Sequence, residues 1–513
     1  MSDYTPVAET VPQKSRYPKS IPYIIGNEAA ERFSFYGMRA ILVTFLVAQF
    51  YNPTASKALS TVADAKANQM SHLFVTLAYA LPFVGGLVAD WFTGKYKIIL
   101  YISMVYCLGH LFLAMFDKSL SGFTAGLILV AIGAGGIKSC VSANVGDQFD
   151  ASNQDLISKI YGWFYFSINA GSVLSTIAIP LVYKHYGAKW AFGIPGILMG
   201  IATIIFFSGR KKYVRVPPSG VNRDNFVFIT YYALTHRKNR NAGESWLDVA
   251  KEAHNPERVD GVKAVYRVMA VFFFALAFWA VWDQCLSEWV LQAASLNRYV
   301  PLGVYDFTLF GHHHWNLDMT VLPGQISTVN AVALLAFIPI FDYWIYPFFD
   351  KIGLKTTPLR RLGTGLVLTA VTFVIIAVIQ MSIDHGGTPS IWWQVLAYIV
   401  LSAAEVLVSI TGLAYAYTHS PKSMKSTMTA IWLLVVSLGN FITAGVNGYI
   451  ANKGSLAHYL AGAGYYWFFV AFIMVFVVAF MFVSPRLKEH NYITDPYISD
   501  ADKNKIIADT DEL

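Results

Sequence analysis

The chain has 513 residues, of which 55% are hydrophobic and 13% are charged, and its formal net charge is +7. Soluble domains carry about 25% charged residues, so this composition excludes a soluble globular protein and indicates a polytopic membrane protein. The lysines and arginines are gathered in a few loops, as the positive-inside rule predicts for membrane proteins. We therefore expect membrane lipid, and not nucleic acid, as a partner.

Twelve segments are apolar and long enough to cross a bilayer, which requires about 20 residues in a helix. In chain order they lie near 21–50, 70–92, 97–116, 120–145, 157–183, 190–208, 265–297, 324–348, 358–382, 391–418, 427–451 and 463–484. We therefore predict an all-α membrane protein with six helices on each side of a long polar segment. The predicted divisions are an N-terminal tail, a six-helix bundle, a linker, a second six-helix bundle and a C-terminal tail: 1–20, 21–208, 209–264, 265–484 and 485–513.

The orientation in the membrane follows from the basic residues. The predicted linker alone holds eleven lysines and arginines, whereas the loops on the opposite side hold few. Basic loops remain on the cytoplasmic side of a membrane. We therefore expect the linker and both termini to be cytoplasmic and the protein to be a multi-pass component of the inner or plasma membrane.

The first predicted helix contains four ionisable residues, Glu28, Glu31, Arg32 and Arg39. Each such residue costs about 2.5–3.5 kcal/mol on insertion scales when it lies at the membrane centre. At helical spacing the four fall on roughly one face, so they are expected to pair with one another or to face a water-filled path. The pattern therefore predicts a proton or substrate pathway inside the membrane.

The same stretch resembles a family signature. Its residues Glu28-x-x-Glu31-Arg32-Phe33-Ser34-Phe35-Tyr36-Gly37 are similar to the ExxERFxYYG motif of the proton-coupled oligopeptide transporter (POT/PTR) family, a branch of the major facilitator superfamily. Further family motifs follow in order along the chain: Gly133-x-Gly135-Gly136-Ile137-Lys138, Phe164-Tyr165-x-x-Ile168-Asn169, Phe278-Trp279-Ala280-x-x-Asp283-Gln284, Glu405-x-x-x-Ser409 and Trp432. The resemblance implies the major facilitator fold, with twelve transmembrane helices in two six-helix bundles.

Within that family, the chain resembles the animal intestinal-type peptide transporters most closely. His72 and Tyr79, seven residues apart, match that branch, as does the sequence around Asn330. One position departs from the pattern, because Phe35 stands where the family usually has tyrosine. That change removes one hydroxyl group from the expected cavity.

The resemblance implies a proton-driven symporter that imports di- and tripeptides by alternating access and works as a monomer. It implies no cofactor, with the proton gradient as the energy source, and no metal and no catalytic residue. Two alternatives stay open: a proton-coupled carrier of another amine- or anion-bearing solute, as in the nitrate-type branch of the family, and an intramembrane enzyme. The sequence contains no HExxH, GxSxG or P-loop motif, which disfavours the enzyme and an ATP-driven pump.

A zwitterionic peptide sets simple requirements for its binding site. Its cation and anion lie about 5–8 Å apart in a di- or tripeptide, so the cavity needs opposite charges on opposite walls. We expect Arg39 and Lys138 to hold the carboxylate and Glu405 to hold the amine. Asn169 and Asn330 could bond the amide groups, although both could instead only join neighbouring helices.

The remaining wall should be accommodating, because the side chains of peptides vary. The family motifs supply Tyr36, Tyr79, Tyr165, Trp279, Ser409 and Trp432 for this role. The two tryptophans could alternatively be packing or interface residues.

Proton coupling is assigned by the resemblance to Glu28, Glu31, Arg32 and His72. Histidine is suited to this role because it titrates near neutral pH, but His72 could instead be bonded to a neighbouring helix.

Two gating salt bridges are also expected. One would join Lys138 to Asp283 across the bundles, and the other would join Arg267 to Asp342, where a purely structural pair is an equal alternative.

Overall fold

The computed structural model of the protein describes residues 16–56, 60–149, 153, 156–237, 244–301, 304–307, 313–316, 318–421 and 424–487. Twelve helical spans within these residues are long and apolar enough to cross a membrane, as predicted. They are α1 (Ile21–Tyr51), α2 (Ser60–Thr93), α3 (Lys95–Met115), α4 (Leu120–Gly146), α5 (Lys159–Tyr186), α6 (Ala188–Lys211), α7 (Pro256–Ala294), α8 (Pro323–Lys351), α9 (Pro358–Asp384), α10 (Ile391–Thr418), α11 (Lys425–Ala451) and α12 (Ala463–Arg486).

The start of α7 differs from the sequence-based prediction. The helix begins at Pro256 rather than at residue 265, because the local sequence supplies a helix start there. The side chain of Asn255 accepts a hydrogen bond from the backbone N–H of Glu257 at 2.9 Å, and proline is well tolerated in the first turn of a helix. The first turns of α7 are polar and therefore project from the apolar span.

The helices form two bundles, α1–α6 and α7–α12, each with its own apolar core. Phe45, Phe123 and Phe192 pack at the centre of the first, with ring centroids 4.9–5.2 Å apart. Trp289 and Tyr398 pack edge to face in the second, at 5.0 Å. Edge-to-face contacts of this kind are favoured by the quadrupoles of aromatic rings.

The two bundles meet along an interface that we call the seam. Across it α2 packs against α11, α5 against α8, and α1 against α7. We call the end that carries the connection 212–255 the linker face, and the end that carries residues 295–322 the far face. Ala65, near the far end of α2, packs into the apolar core of the second bundle and is only 4% exposed.

Glycines allow some helices to approach at backbone distance. A Cβ atom added to Gly85 of α2 would lie 2.5 Å from the carbonyl oxygen of Gly136 in α4, and one added to Gly439 of α11 would lie 2.6 Å from the backbone nitrogen of Ala280 in α7. Small residues at such crossings are typical of membrane helix packing.

Short elements lie at both ends of the bundles. On the linker face, a short apolar helix covers Phe226–Thr235. On the far face, strand β1 (Tyr299–Val300) pairs antiparallel with β4 (Met319–Thr320), and β2 (Val304–Phe307) pairs with β3 (His313–Asn316). These two small sheets were not expected from the helical pattern.

Several spans of the second bundle change their winding along their length. α7 contains a 3₁₀ segment at Asp283–Leu286, α8 contains a π segment at Phe341–Ile345, and α10 contains a π segment at Val406–Ile410 that directly follows Glu405. π segments inside α-helices are frequent at functional sites.

Candidate functional site

The charged residues at the start of α1 form one buried cluster. Arg32 donates a hydrogen bond from Nε to Glu28 Oε1 at 2.7 Å, and its Nε lies 2.9 Å from Glu31 Oε2. The three residues are at most 6% exposed. The i, i+4 spacing places Glu28 beside Arg32, and Glu31 is the sequence neighbour of Arg32. The predicted pairing within α1 is therefore confirmed. Its part in proton coupling stays a prediction.

Arg39 lies farther along α1 and crosses the seam. Its Nη2 is 2.7 Å from Asp283 Oδ1 of α7, and both side chains are 1% exposed. Two further donor groups of the guanidinium, Nε and Nη1, have no hydrogen-bond partner in the described part of the chain. Arg39 therefore joins the two bundles and keeps donors free for another anion.

The predicted pair between Lys138 and Asp283 is wrong for this conformation. The carboxylate of Asp283 pairs with Arg39 instead, and the buried Nζ of Lys138 has no hydrogen-bond partner in the described residues. The ammonium lies 3.9 Å from the ring centroid of Tyr79 and 4.7 Å from that of Phe35. Cation–π contacts therefore stabilise a charge that no carboxylate neutralises directly.

His72 of α2 is bonded to the second bundle on both sides of its ring. Its Nδ1 is 2.8 Å from Asn440 Oδ1, and its Nε2 is 2.9 Å from the hydroxyl of Ser287. Asn440 donates from Nδ2 to Asp283 Oδ2 at 2.6 Å, so its Oδ1 must accept from the ring. Proton positions assigned in this way place the hydrogen on Nδ1. The alternative of a histidine bonded to neighbouring helices is thus realised, and a hydrogen-bonded chain links His72 through Asn440 to the Arg39–Asp283 pair.

Glu405 lies on the opposite wall, in α10, and is 8% exposed. Its Oε2 accepts hydrogen bonds from Trp282 Nε1 and from Asn330 Nδ2, each at 2.9 Å. Asn330 also donates to Ser402 at 3.0 Å. Within the described residues, no cation forms an ion pair with Glu405, so neutral donors alone orient this carboxylate.

Aromatic residues from both bundles surround these charges. Tyr36 of α1 and Tyr165 of α5 are close enough to Glu405 to interact with it electrostatically across the seam. Trp279 of α7 packs against Trp432 of α11, with ring centroids 6.1 Å apart. Its indole Nε1 has no hydrogen-bond partner among the described residues, so this ring combines packing with a spare donor.

The other predicted site residues are placed less centrally. Asn169 of α5 is buried, but its amide donates to the backbone oxygen of Tyr165, one turn earlier, at 3.0 Å. Ser409 lies within the π segment of α10 and is half-buried. Both are positioned on helices that border the seam, and their roles in substrate binding stay predictions.

The predicted pair between Arg267 and Asp342 is wrong for this conformation as well. Both residues are exposed, and no ion pair joins them in the described structure. Asp342 instead lines a cavity of about 260 Å³ between α8, α9 and α10, together with Tyr346 and Arg361. Arg361 lies over the Tyr346 ring at 3.5 Å. The π segment of α8 begins immediately before Asp342 and changes the direction in which this part of the helix faces.

Three site residues were not predicted: Trp282, Ser287 and Asn440. Trp282 and Ser287 flank Asp283 within α7, and Asn440 is a polar residue inside an apolar helix. Polar groups inside a membrane helix are expensive and are usually bonded. That cost was the available signal for Asn440, whereas its partners depend on how the two bundles meet.

Side chains from both bundles also close the far end of the seam. The hydroxyl groups of Thr176 in α5 and Thr328 in α8 are 2.8 Å apart, and Gln325 donates from Nε2 to the backbone oxygen of Ile177 at 3.1 Å. A Cβ atom added to Gly324 would overlap the carbonyl oxygen of Ala40. The bundles are therefore in direct contact at this end.

The linker-face half of the seam is more accessible. Tyr161 and Tyr165, on the first turns of α5, are 37% and 39% exposed. The site consequently has a sealed end toward the far face and an accessible end toward the linker face. It presents spare cationic donors on the first bundle and a carboxylate without a cation on the second, which can bind the two ends of a zwitterion.

Comparison with protein-family models finds a match to the model described as "POT family", over residues 96–467. Relatives include Peptide transporter 3 of Caenorhabditis elegans, 35% identical over an alignment of 393 positions that covers 73% of this chain and 52% of that protein. They also include Solute carrier family 15 member 2 of Homo sapiens, 34% identical over an alignment of 424 positions that covers 78% of this chain and 54% of that protein. The chain thus spans about half the length of these curated relatives.

Solved structures match over nearly their whole length. The POT family transporter PepTSo superimposes with a TM-score of 0.82 at 33% identity, covering 92% of this chain and 99% of that one. A structure titled as an auto inhibited POT family peptide transporter gives a TM-score of 0.83 at 33% identity, with 93% and 99% covered. These matches confirm the predicted major facilitator architecture of two six-helix bundles.

Proposed function

The chain belongs to the POT family, and we propose that it is a proton-driven symporter that imports di- and tripeptides by alternating access. The observation that carries the proposal is the division of charge across the seam. Arg39 and Lys138 offer free donors on the first bundle, and Glu405 offers a carboxylate that only neutral groups contact on the second. A peptide supplies the anion and the cation that these two walls lack.

Each end of the peptide would exchange water for a charged partner. The carboxylate would bind the spare Nε and Nη1 groups of Arg39 together with the ammonium of Lys138, because charge-assisted hydrogen bonds are stronger than neutral ones. The amine would bind Glu405, which Trp282 and Asn330 hold in place. Rings of Tyr36, Tyr165 and Trp279 would face the variable side chains, and no step requires a cofactor.

The proton would act through the cluster at the start of α1. Protonation of Glu28 or Glu31 would neutralise one of the two carboxylates that Arg32 contacts and would weaken that ion pair. A proton can drive transport only if it binds the outward- and inward-facing states with different affinity. We propose that the structure, with its far end sealed, represents the inward-facing state. The protein would lie in the inner or plasma membrane, with the linker and both termini in the cytoplasm. Because both walls come from one chain, a monomer suffices.

Uptake by the purified protein in liposomes tests this function. A labelled dipeptide should accumulate inside against its gradient when the far face is acidic, a protonophore should abolish the accumulation, and the peptide should be recovered intact. N-acetylated dipeptide amides, which lack both charges, are the matched control and should not compete. Hydrolysed product would favour an enzyme, and proton-driven nitrate uptake without peptide uptake would favour the anion-carrying branch.

The carboxylate of Glu405 favours a peptide over a simple anion as the substrate. Nitrate carries no cation, so a buried carboxylate on one wall would only repel it.

The orientation in the membrane has its own test. A cysteine at Leu456, which is 57% exposed on the far face, should react with an impermeant maleimide added outside intact cells.

A further inference from the structure

Glu288 is a carboxylate at the far end of the seam that the transport site does not use. It begins the last helical segment of α7, Glu288–Ala294, and it accepts a hydrogen bond from Asn68 of α2, in the opposite bundle. Asn68 is fully buried, and its own Oδ1 has no hydrogen-bond partner in the described residues. This contact therefore joins the two bundles closer to the far face than the Arg39–Asp283 pair does.

The groups that face Glu288 are acidic or neutral. Asp64 lies one turn from Asn68 on α2, and its charge acts on Glu288. On α12, Tyr465 and Tyr466 face the carboxylate. α11 contributes Asn447, which donates to the Tyr465 hydroxyl at 3.0 Å.

Among the described residues, the other cations of the neighbouring helices have other surroundings. On α2, Lys66 is exposed and its ammonium lies 5.9 Å from the centroid of the Tyr51 ring. On α1, Arg39 is paired with Asp283, and the first turn of α8, Pro323–Ser327, has no titratable residue. His72 of α2 is bonded to Ser287 and Asn440, and Asp384 of α9 adds a negative charge that reaches Tyr466. Within the described residues, no ion pair involves Glu288.

We propose that Glu288 is an additional proton-binding group, and that its protonation permits the far face to close. The proposal rests on the transport function above. Closing the seam places the carboxylate beside Asn68 and near Asp64 with no cation, and an unpaired charge in such a site is costly. The amide of Asn68 can serve both states, because it donates to a carboxylate and, rotated by 180°, accepts from a carboxylic acid.

This position determines what the proton does. When the far face opens, α2 and α7 separate and Glu288 exchanges protons with the far-side solution. In the closed state Glu288 is bonded to Asn68 at the far end of the seam, so its proton would be released to the far side when the seam reopens. Glu288 therefore sets how closure depends on far-side pH, whereas the number of protons carried per peptide depends on other groups.

Accessibility of Ala65 measures closure directly and without substrate. This residue is buried by the second bundle in the closed state, so a cysteine there reacts with an impermeant maleimide only after opening. A cysteine at the exposed Leu456 corrects for the pH dependence of the thiol reaction. The ratio of the two rates should rise with pH, by at most about tenfold per pH unit for one proton, and should become independent of pH in Glu288→Gln.

Transport supplies the second readout. Uptake by Glu288→Gln should lose its dependence on far-side pH while the ratio of protons to peptide stays unchanged. Asp64→Asn, which removes the neighbouring charge and keeps the shape, should weaken the pH dependence. The difference between Glu288→Ala and Glu288→Gln shows what loss of the Asn68 contact adds to loss of the charge. An unchanged pH dependence of the labelling ratio in Glu288→Gln would overturn the proposal, as would loss of proton coupling in that variant. If the parent protein transports no peptide, the transport function fails, but the labelling result still decides the role of Glu288.

Discussion

The two walls of the seam balance their charges in different ways. On the first bundle, Arg32 contacts both Glu28 and Glu31 within a single helix, while the Lys138 ammonium lies against aromatic rings without a carboxylate partner. On the second bundle, Glu405 is oriented only by neutral donors. One wall therefore carries a cation without a direct anionic partner, and the other carries a carboxylate without a cationic partner.

Under the proposed function, this difference separates two kinds of charge. Ion pairs that are complete within the protein, such as Arg39–Asp283, hold the bundles together and can be broken only at a cost. Charges that are incomplete, such as Lys138 and Glu405, would gain a partner if a zwitterionic substrate entered. The variants below test whether complete and incomplete charges have these separate roles.

The largest effect is expected from the cluster on α1. The double change Glu28→Gln and Glu31→Gln removes both partners of Arg32 that could carry a proton, so accumulation driven by a pH gradient should be lost. Counterflow of labelled against unlabelled peptide should persist, because exchange needs no net proton movement. Liposome uptake and counterflow between pH 5.5 and 8 measure the two activities. Glu257→Gln, at an exposed site on α7, is the control, and full accumulation by the double variant would refute the relay.

The complete pair is tested by a double-mutant cycle on Arg39 and Asp283. Removing one member of a buried ion pair strands the other charge and costs about 3–5 kcal/mol, so Arg39→Ala and Asp283→Ala should each open the far face strongly. The double variant should be less impaired than the sum of the two. The labelling ratio of cysteines at Ala65 and Leu456 reports the free energy of opening. In a parallel cycle with Lys138→Ala and Asp283→Ala, the changes in the free energy of opening should be additive. A coupling energy similar to that of Arg39 and Asp283 would instead support the Lys138–Asp283 pair that the sequence predicted.

An intermediate effect is expected at the incomplete charge of the second wall. Glu405→Gln keeps the shape of the side chain and removes the charge that would bind the peptide amine. Hydrogen bonds to charged groups contribute about 1.5–3 kcal/mol, so the half-saturation concentration of free dipeptides should rise about 10- to 150-fold. Binding of N-acetylated peptides should not change. Glu288→Gln removes a carboxylate of the same bundle at the far face, and an equal loss of affinity in that variant at pH 5.5 would argue against a specific role for Glu405.

The amino-acid sequence predicted the parts of this architecture that depend on local pattern. Twelve apolar runs predicted twelve spans, and the i, i+4 spacing predicted the contact of Arg32 with Glu28. The start of α7 was missed because polar residues after Pro256 lower the local hydropathy, although Asn255 and Pro256 form a recognisable helix start.

Contacts across the seam could not be predicted in the same way. Arg39 and Lys138 are both cations on the first bundle, and which of them reaches Asp283 depends on the rotation of one bundle against the other. The sequence is compatible with several such states, whereas the structure shows one. For the same reason, the bonds of His72 to Ser287 and Asn440 became visible only in three dimensions.

The smallest effect is expected at Phe35, where the family usually has tyrosine. Its ring is fully buried and packs at 5.6 Å from Tyr36 and 5.7 Å from Phe74. Its contribution to the site is a π face whose centroid lies 4.7 Å from the Lys138 ammonium and 5.7 Å from the Arg39 guanidinium. Phe35→Leu keeps an apolar side chain and removes that face, which should cost about 0.5–1 kcal/mol and change the half-saturation concentration of a dipeptide by about 2- to 5-fold. Phe35→Tyr keeps the face and should change it by less. Because the Phe35 ring contacts Lys138 more closely than Arg39, Phe35→Leu should have a smaller effect in a Lys138→Ala background than in the parent protein. An equal effect in both backgrounds would show that Phe35 does not act through Lys138.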